Sequence, residues 1–311
     1  MSRLATAAIA VACGAVAACL YLGIMLGTSG ALILVYMTQL PLFVAGLWLG
    51  TAAAAVAGIS GTLVLLVAND LLGAGIFAAL NAGPVTLLVR QALRARQLAD
   101  GSFAWYPPGL LTAWLTGLAL AGIAAAVLLL GGPDGLHATL RDMIGPVLDR
   151  ISGKPMPNRE QVAEGLAMII PGVVAASWMV TTVANAALAQ GLLARFGANW
   201  RPSPQMAALG LPIWLTAALG LAAAAAIFPG APRFVGLNMT MALFIAFCLA
   251  GLAVLHAAVR RLSQPVMALV FFYTVAALFG WPFLVVAVLG LLESWLGLRR
   301  RLAPQGAHID G

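Results

Sequence analysis

The stretch PGLLTAWLTGLALAGIAAAVLLL, Pro108–Leu130, decides the fold. Its 23 residues carry no charge. As a helix rising about 1.5 Å per residue they reach roughly 35 Å, and the hydrocarbon core of a bilayer is about 30 Å thick. Lipid supplies no hydrogen bonds, so a run that crosses it must satisfy its own backbone, as an α-helix does.

Working outward, similar apolar runs recur along the chain at about 5–26, 31–49, 52–68, 71–89, 164–193, 205–228, 237–259, 265–279 and 282–298. With 108–130 they make ten segments, and the expected fold is an all-α, polytopic transmembrane bundle. Gly280-Trp281-Pro282 interrupts the last two, so eight crossings plus a re-entrant hairpin is the alternative count. The chain reads as a single membrane domain over 1–311: five segments in 1–130, an external loop at 131–161, five more in 162–298, and a tail at 299–311. VAAC at Val16–Cys19 has the form of a lipoprotein cleavage site. However, the apolar run continues to about Met25 and another membrane segment follows, so the N-terminus reads as the first crossing.

Composition agrees. Of 311 residues, 63% are hydrophobic and 8% charged, and the mean hydropathy is +1.03. A soluble domain carries roughly a quarter charged residues, so the solvent for most of this surface is lipid. The net charge of +7 does not indicate nucleic acid, because the arginines stand in small clusters at segment ends rather than on one basic face. Cys13, Cys19 and Cys248 lie inside apolar runs and read as small hydrophobes, with no disulfide or metal spacing.

Topology follows from the same clusters. With ten crossings and the N-terminus inside, the inner loops hold Arg3, Arg90, Arg94, Arg96, Arg195, Arg201, Arg260, Arg261 and Arg299–Arg301, which is 11 of the 16 basic residues. The positive-inside rule then places both termini in the cytoplasm, and the expected location is a bacterial inner membrane. The external loop carries Leu136, Leu140, Met143, Ile144, Val147, Leu148 and Ile151 at helical spacing. This predicts an amphipathic helix in the interface plane, capped by Asp134 and broken or kinked at Pro146. It serves either as a brace or as a lid. Small residues spaced by four, such as Ala53/Ala57/Gly61 and Ala218/Ala222/Ala226, permit close helix packing.

Chemistry-bearing spacings are lacking. No HExxH, GxSxG or phosphate-cradling glycine loop occurs, and His137, His256 and His308 are dispersed. No catalytic residue, metal or cofactor is therefore expected. The informative groups are amides inside apolar runs. Asn185 stands ten residues before Arg195 and Asn81 nine before Arg90, which puts both roughly 15 Å deep, near the midplane. Pro84, just after Asn81, leaves the carbonyl of Leu80 without its helical donor. Glu164 begins the sixth segment, Pro171 should bend it, and Trp178, Thr181 and Asn185 share a face below. Two readings follow. Asn185 bonds Asn81 as interhelical glue, or Asn185, Thr181, Trp178, Asn81 and Glu164 line a ligand site beside a broken helix. Asn69-Asp70 and Asn238 read as helix caps, and Tyr36, Thr38 and Gln39 before Pro41 form a second place where a helix could unwind.

Two stretches carry a resemblance. NAALAQGLLARFG (Asn185–Gly197) with RPSPQMAALGLPIW (Arg201–Trp214) resembles the YybS-like family of bacterial integral membrane proteins, a domain of unknown function. LPLFVAGLWLGTAAAAVAGISG (Leu40–Gly61) resembles the substrate-binding S components of energy-coupling-factor vitamin transporters. The second resemblance implies a small-molecule site in the membrane and a partner module, such as an ATPase or membrane subunit. The functional expectation is a small-solute binder or transporter with its site between the fourth and sixth segments. The alternative is a non-transporting scaffold for partner proteins.

Overall fold

The computed structural model describes residues 2–26, 28–131, 135–152, 158–204 and 209–298. The expected cap Asp134 and the inner cluster Arg299–Arg301 lie outside them. Helices dominate: α1 Arg3–Leu22, α2 Ser29–Tyr36, α3 Gln39–Leu49, α4 Thr51–Ala68, α5 Leu71–Phe77, α6 Gly83–Ala92, α7 Pro108–Leu130, α8 Gly135–Ser152, α9 Arg159–Arg195, α10 Ile213–Ala225, α11 Ala231–Val259, α12 Pro265–Phe279 and α13 Pro282–Leu296. Two short strands, β1 Ala95–Gln97 and β2 Phe103–Trp105, pair antiparallel with Arg96 opposite Ala104.

Each of the ten expected runs holds helix, but the helices differ in reach. Among the described residues six are long and apolar enough to cross a membrane: α1, α4, α5–α6 taken together, α7, α9 and α11. The run at 31–49 is split into α2 and α3, and among the described residues of the run at 205–228 the helix is the 13-residue α10. Pro212, just before α10, is itself extended, at φ −69° and ψ 145°. Helices α12 and α13 have 15 residues each and meet at a bend of 117°. At about 1.5 Å per residue each reaches roughly 22 Å, less than a bilayer core.

The chain forms two compact units. One comprises Met1–Leu111 and Val180–Pro204, the other Thr112–Met179 and Gln205–Gly311. In the first, α4 is central, and its small-residue stripe Ala53, Ala57 and Gly61 is buried. A Cβ on Gly14 of α1 would lie 2.1 Å from the carbonyl oxygen of Ala57, and one on Gly61 would lie 2.8 Å from that of Gly14. Backbone therefore meets backbone, and no side chain fits at either position. In the second unit α11 plays the central part. Leu215, Leu243, Phe247, Cys248 and Ala287 form its core with α10 and α13.

Outward surfaces are as apolar as the cores. Leu128 and Leu129 at the end of α7 are each 79% exposed, which in water would be an aggregation site. In lipid it is ordinary. On α8 the stripe Met143, Val147 and Ile151 is exposed, as an interfacial helix requires. Pro146 does not break α8. The carbonyl it strands, that of Asp142, belongs to an exposed residue, where water can satisfy it.

Candidate functional site

Proline is the origin of the site. Pro41 has no N–H to give Met37, so the Leu40 N–H turns to the Met37 carbonyl at 3.0 Å. That leaves the Tyr36 carbonyl without its helical donor, and the chain divides into α2 and α3 there. The Asn185 side chain fills the gap. Its Nδ2 donates to the Tyr36 carbonyl at 2.7 Å and to the Thr181 carbonyl, one turn earlier on α9, at 2.8 Å.

Pro84 has the same effect on Leu80. The helix widens into a π turn at Ala78–Ala82, and Gln39 Nε2 donates to the Leu80 carbonyl at 3.2 Å. The carbonyl that the sequence marked as stranded is thus met, by a side chain 41 residues away.

The two amides are locked by these bonds. Every partner of Asn185 Nδ2 and Gln39 Nε2 is a carbonyl, which only an N–H group can face, so the opposite atom of each amide is an oxygen. Those atoms, Asn185 Oδ1 and Gln39 Oε1, are buried and accept no hydrogen bond among the described residues. Thr38 Oγ1 is in the same position. Thr38, Gln39 and Asn185 are 1%, 2% and 3% exposed. Three buried oxygens without donors around one helix break are unusual, because more than nine in ten buried polar groups are paired.

The expected site residues do not assemble as one group. Asn185 does not bond Asn81, since its donors go to Tyr36 and Thr181 and its oxygen is unpartnered. Asn81 is half-buried, one residue beyond Leu80. Thr181 contributes its carbonyl. Trp178 is half-buried on α9. Glu164 belongs to the other compact unit. It pairs instead with His137 of α8 at 3.3 Å. Arg159 at the start of α9 likewise meets Asp149 of α8 at 2.7 Å, so this end of α9 braces the amphipathic helix.

Asn238 is no cap. It lies in the interior of α11 and is fully buried. Opposite it, Pro171 interrupts the hydrogen-bond ladder of α9 without ending the helix. The Gly172 N–H donates to Asn238 Oδ1 at 2.5 Å, and Asn238 Nδ2 donates to the Met168 carbonyl at 2.9 Å. The Asn238 amide thereby holds an N–H and a carbonyl on either side of Pro171, which has no N–H to give the Ala167 carbonyl. A Cβ on Gly172 would sit 3.0 Å from Asn238 Cα, so glycine also makes room for this approach.

Arg201, one of the arginines expected in the inner loops, is 5% exposed. Nη1 donates to the Ala92 carbonyl at the end of α6 (3.0 Å), and Nη2 donates to the Tyr106 carbonyl after β2 (2.8 Å). The guanidinium fork thus ties both bases of the β1–β2 hairpin. Burial pushes its pKa down from the ordinary value, which the negative end of α6 offsets. The hairpin has a signal in Asp100-Gly101. Gly101 has φ +83°, and the Asp100 carboxylate accepts from the Ser102 N–H and hydroxyl, which hold its pKa below the usual range.

A groove of about 600 Å³ runs along α12 beside Val266, Val270, Tyr273 and Leu278. It is formed by one apolar helix face and touches none of the groups above. Among the described residues no set of three or more His, Cys, Asp or Glu side chains could hold a metal ion. Compared with known proteins, the chain matches no family model, no curated protein and no solved structure. The fold and the break together define a mainly helical chain with helices long and apolar enough to cross a membrane and with proline-induced interruptions that polar side chains meet.

Proposed function

We propose that the chain is a bacterial inner-membrane protein that binds, and moves, a small solute where α9 meets the break between α2 and α3. The observation that carries this is the set of buried, donor-free oxygens on Thr38, Gln39 and Asn185. Broken helices near the bilayer midplane are where transporters place their sites. Leu40–Gly61, the stretch that resembles S components, begins at this break, which supports the reading. Asn81 and the Thr181 turn flank the site, while Glu164 and Trp178 lie outside its hydrogen-bonded core. For topology we favour eight crossings, a re-entrant α12–α13 hairpin and both termini cytoplasmic, supported by the arginine distribution and the 117° bend.

Native mass spectrometry of the purified chain tests this. A retained small molecule that is not a lipid is the expected result. A folded protein carrying lipid adducts alone sinks the proposal in favour of a membrane scaffold. One observation supports that second reading: Asn238 has both ends of its amide satisfied, so at least one intramembrane amide is purely structural.

A further inference from the structure

We infer that the ligand group held at the α2–α3 break is a small monovalent cation, either an alkali-metal ion or the primary ammonium of an amine. This rests on the reading of that break as a binding site. The donor and acceptor inventory of the break selects the chemistry. Its available atoms, Thr38 Oγ1, Gln39 Oε1 and Asn185 Oδ1, include two amide oxygens that can only accept. An anion would meet these oxygens lone pair to lone pair. Its partner must bring positive charge or N–H groups.

The charge of the surroundings fixes the valence. The unit that holds the break contains two acids, Asp70 and Asp100. Asp70 accepts from the Gly73 N–H as the cap of α5, and Asp100 belongs to the hairpin turn. Neither is on α2, α3 or α9. Divalent cations are bound through carboxylates, and none is offered. A single positive charge suits neutral oxygens, and it also suits the C-terminal end of α2, where the helix dipole is negative. Broken-helix sites hold Na⁺ through the same kinds of group.

Thr38 and Gln39 are consecutive at the start of α3, and the Asn185 amide is 2.7 Å from the carbonyl two residues before Thr38. The amide nitrogens are committed to the Tyr36, Thr181 and Leu80 carbonyls, so neither amide can turn over to offer a donor instead. Both amides therefore present only acceptors, and the adjacent Thr38 hydroxyl adds a third oxygen.

The test is thermal unfolding of the full purified chain, followed by tryptophan fluorescence at one ionic strength. The four salts are sodium, potassium, methylammonium and N-methylglucammonium chloride, the last being too bulky to enter. At least one of the first three should raise Tm by about 3–6 °C over the last, saturably. Sodium or potassium alone identifies an ion, and methylammonium identifies an amine. Thr38→Val removes an oxygen that has no hydrogen bond among the described residues and keeps its volume. It should leave Tm in N-methylglucammonium unchanged or slightly raised and abolish the cation increment. Equal Tm in all four salts overturns the inference, as does an increment that survives Thr38→Val. If instead a neutral solute is retained in native mass spectra and lost from Thr38→Val, solute binding stands and the cation assignment falls.

Discussion

Asn238 joins α11 to α9 on either side of Pro171. Asn238→Ala removes the bonds of its amide to the Gly172 N–H and the Met168 carbonyl. Intramembrane hydrogen bonds are worth about 0.6–2 kcal/mol each, so the substitution should lower stability by about 1–3 kcal/mol. An unchanged unfolding midpoint in detergent would show that these bonds contribute nothing. Arg201→Lys tests a different geometry. A lysine point charge cannot span the Ala92 and Tyr106 carbonyls as a planar fork does, so stability should fall by about 1–2 kcal/mol, with faster proteolysis at the 95–105 hairpin. Unchanged protease sensitivity would remove the hairpin role. The sequence made some of this visible: Pro84 announced a stranded carbonyl at Leu80, and Asp70 announced a cap. It could not announce who answers. Gln39, Asn185 and Asn238 look alike in an apolar run, and their partners lie 41, 149 and 70 residues away. A buried Arg201 is equally silent, because position alone resembles a topological charge.

Helices were easier to read than their ends. The 3.6-residue period and apolar length place α1, α4, α7 and α11 almost unaided, since lipid enforces helix on any long apolar run. Interruptions are subtler, because a proline sets where the ladder fails but neighbours decide the outcome. Pro41 divides two helices, Pro84 widens a turn into a π bulge, and Pro171 leaves α9 continuous. For α12 and α13 the shortness of both arms and their 117° bend make a specific prediction. A single cysteine at Trp281, in a chain whose native cysteines are replaced, should resist a membrane-impermeant thiol reagent from either side of intact vesicles. Full labelling from outside would restore ten crossings. The amphipathic pattern of α8 was legible, whereas its anchoring was not: His137–Glu164 and Asp149–Arg159 join residues 27 and 10 apart.

Taken as one chain, the protein depends on lipid outside and on amides inside. Its exposed leucines, such as Leu128 and Leu129, have no favourable solvent but acyl chains. Three of its buried amides, Gln39, Asn185 and Asn238, meet the backbone beside a proline. Replacing Gln39 and Asn185 together by leucine should leave the Leu80 and Tyr36 carbonyls without their side-chain donors. The loss is expected to exceed the sum of the single losses, because Gln39 stands three residues from the Tyr36 carbonyl that Asn185 holds. Additive losses in unfolding measurements would mean that the two repairs are independent.

The bond from Asn185 to Tyr36 also has a clock in it. Its ends are 149 residues apart in the chain, and ribosomes add about 5–20 residues per second. For roughly 7–30 seconds of every synthesis, α2 and α3 are in place while the side chain that completes them has not been made. During that interval the Tyr36 carbonyl must find a temporary partner in water, in headgroups or in the insertion machinery. The break that serves the mature protein is thus a hazard of its birth, and slowing synthesis between Tyr36 and Asn185 should lengthen the time the nascent chain spends exposed to it.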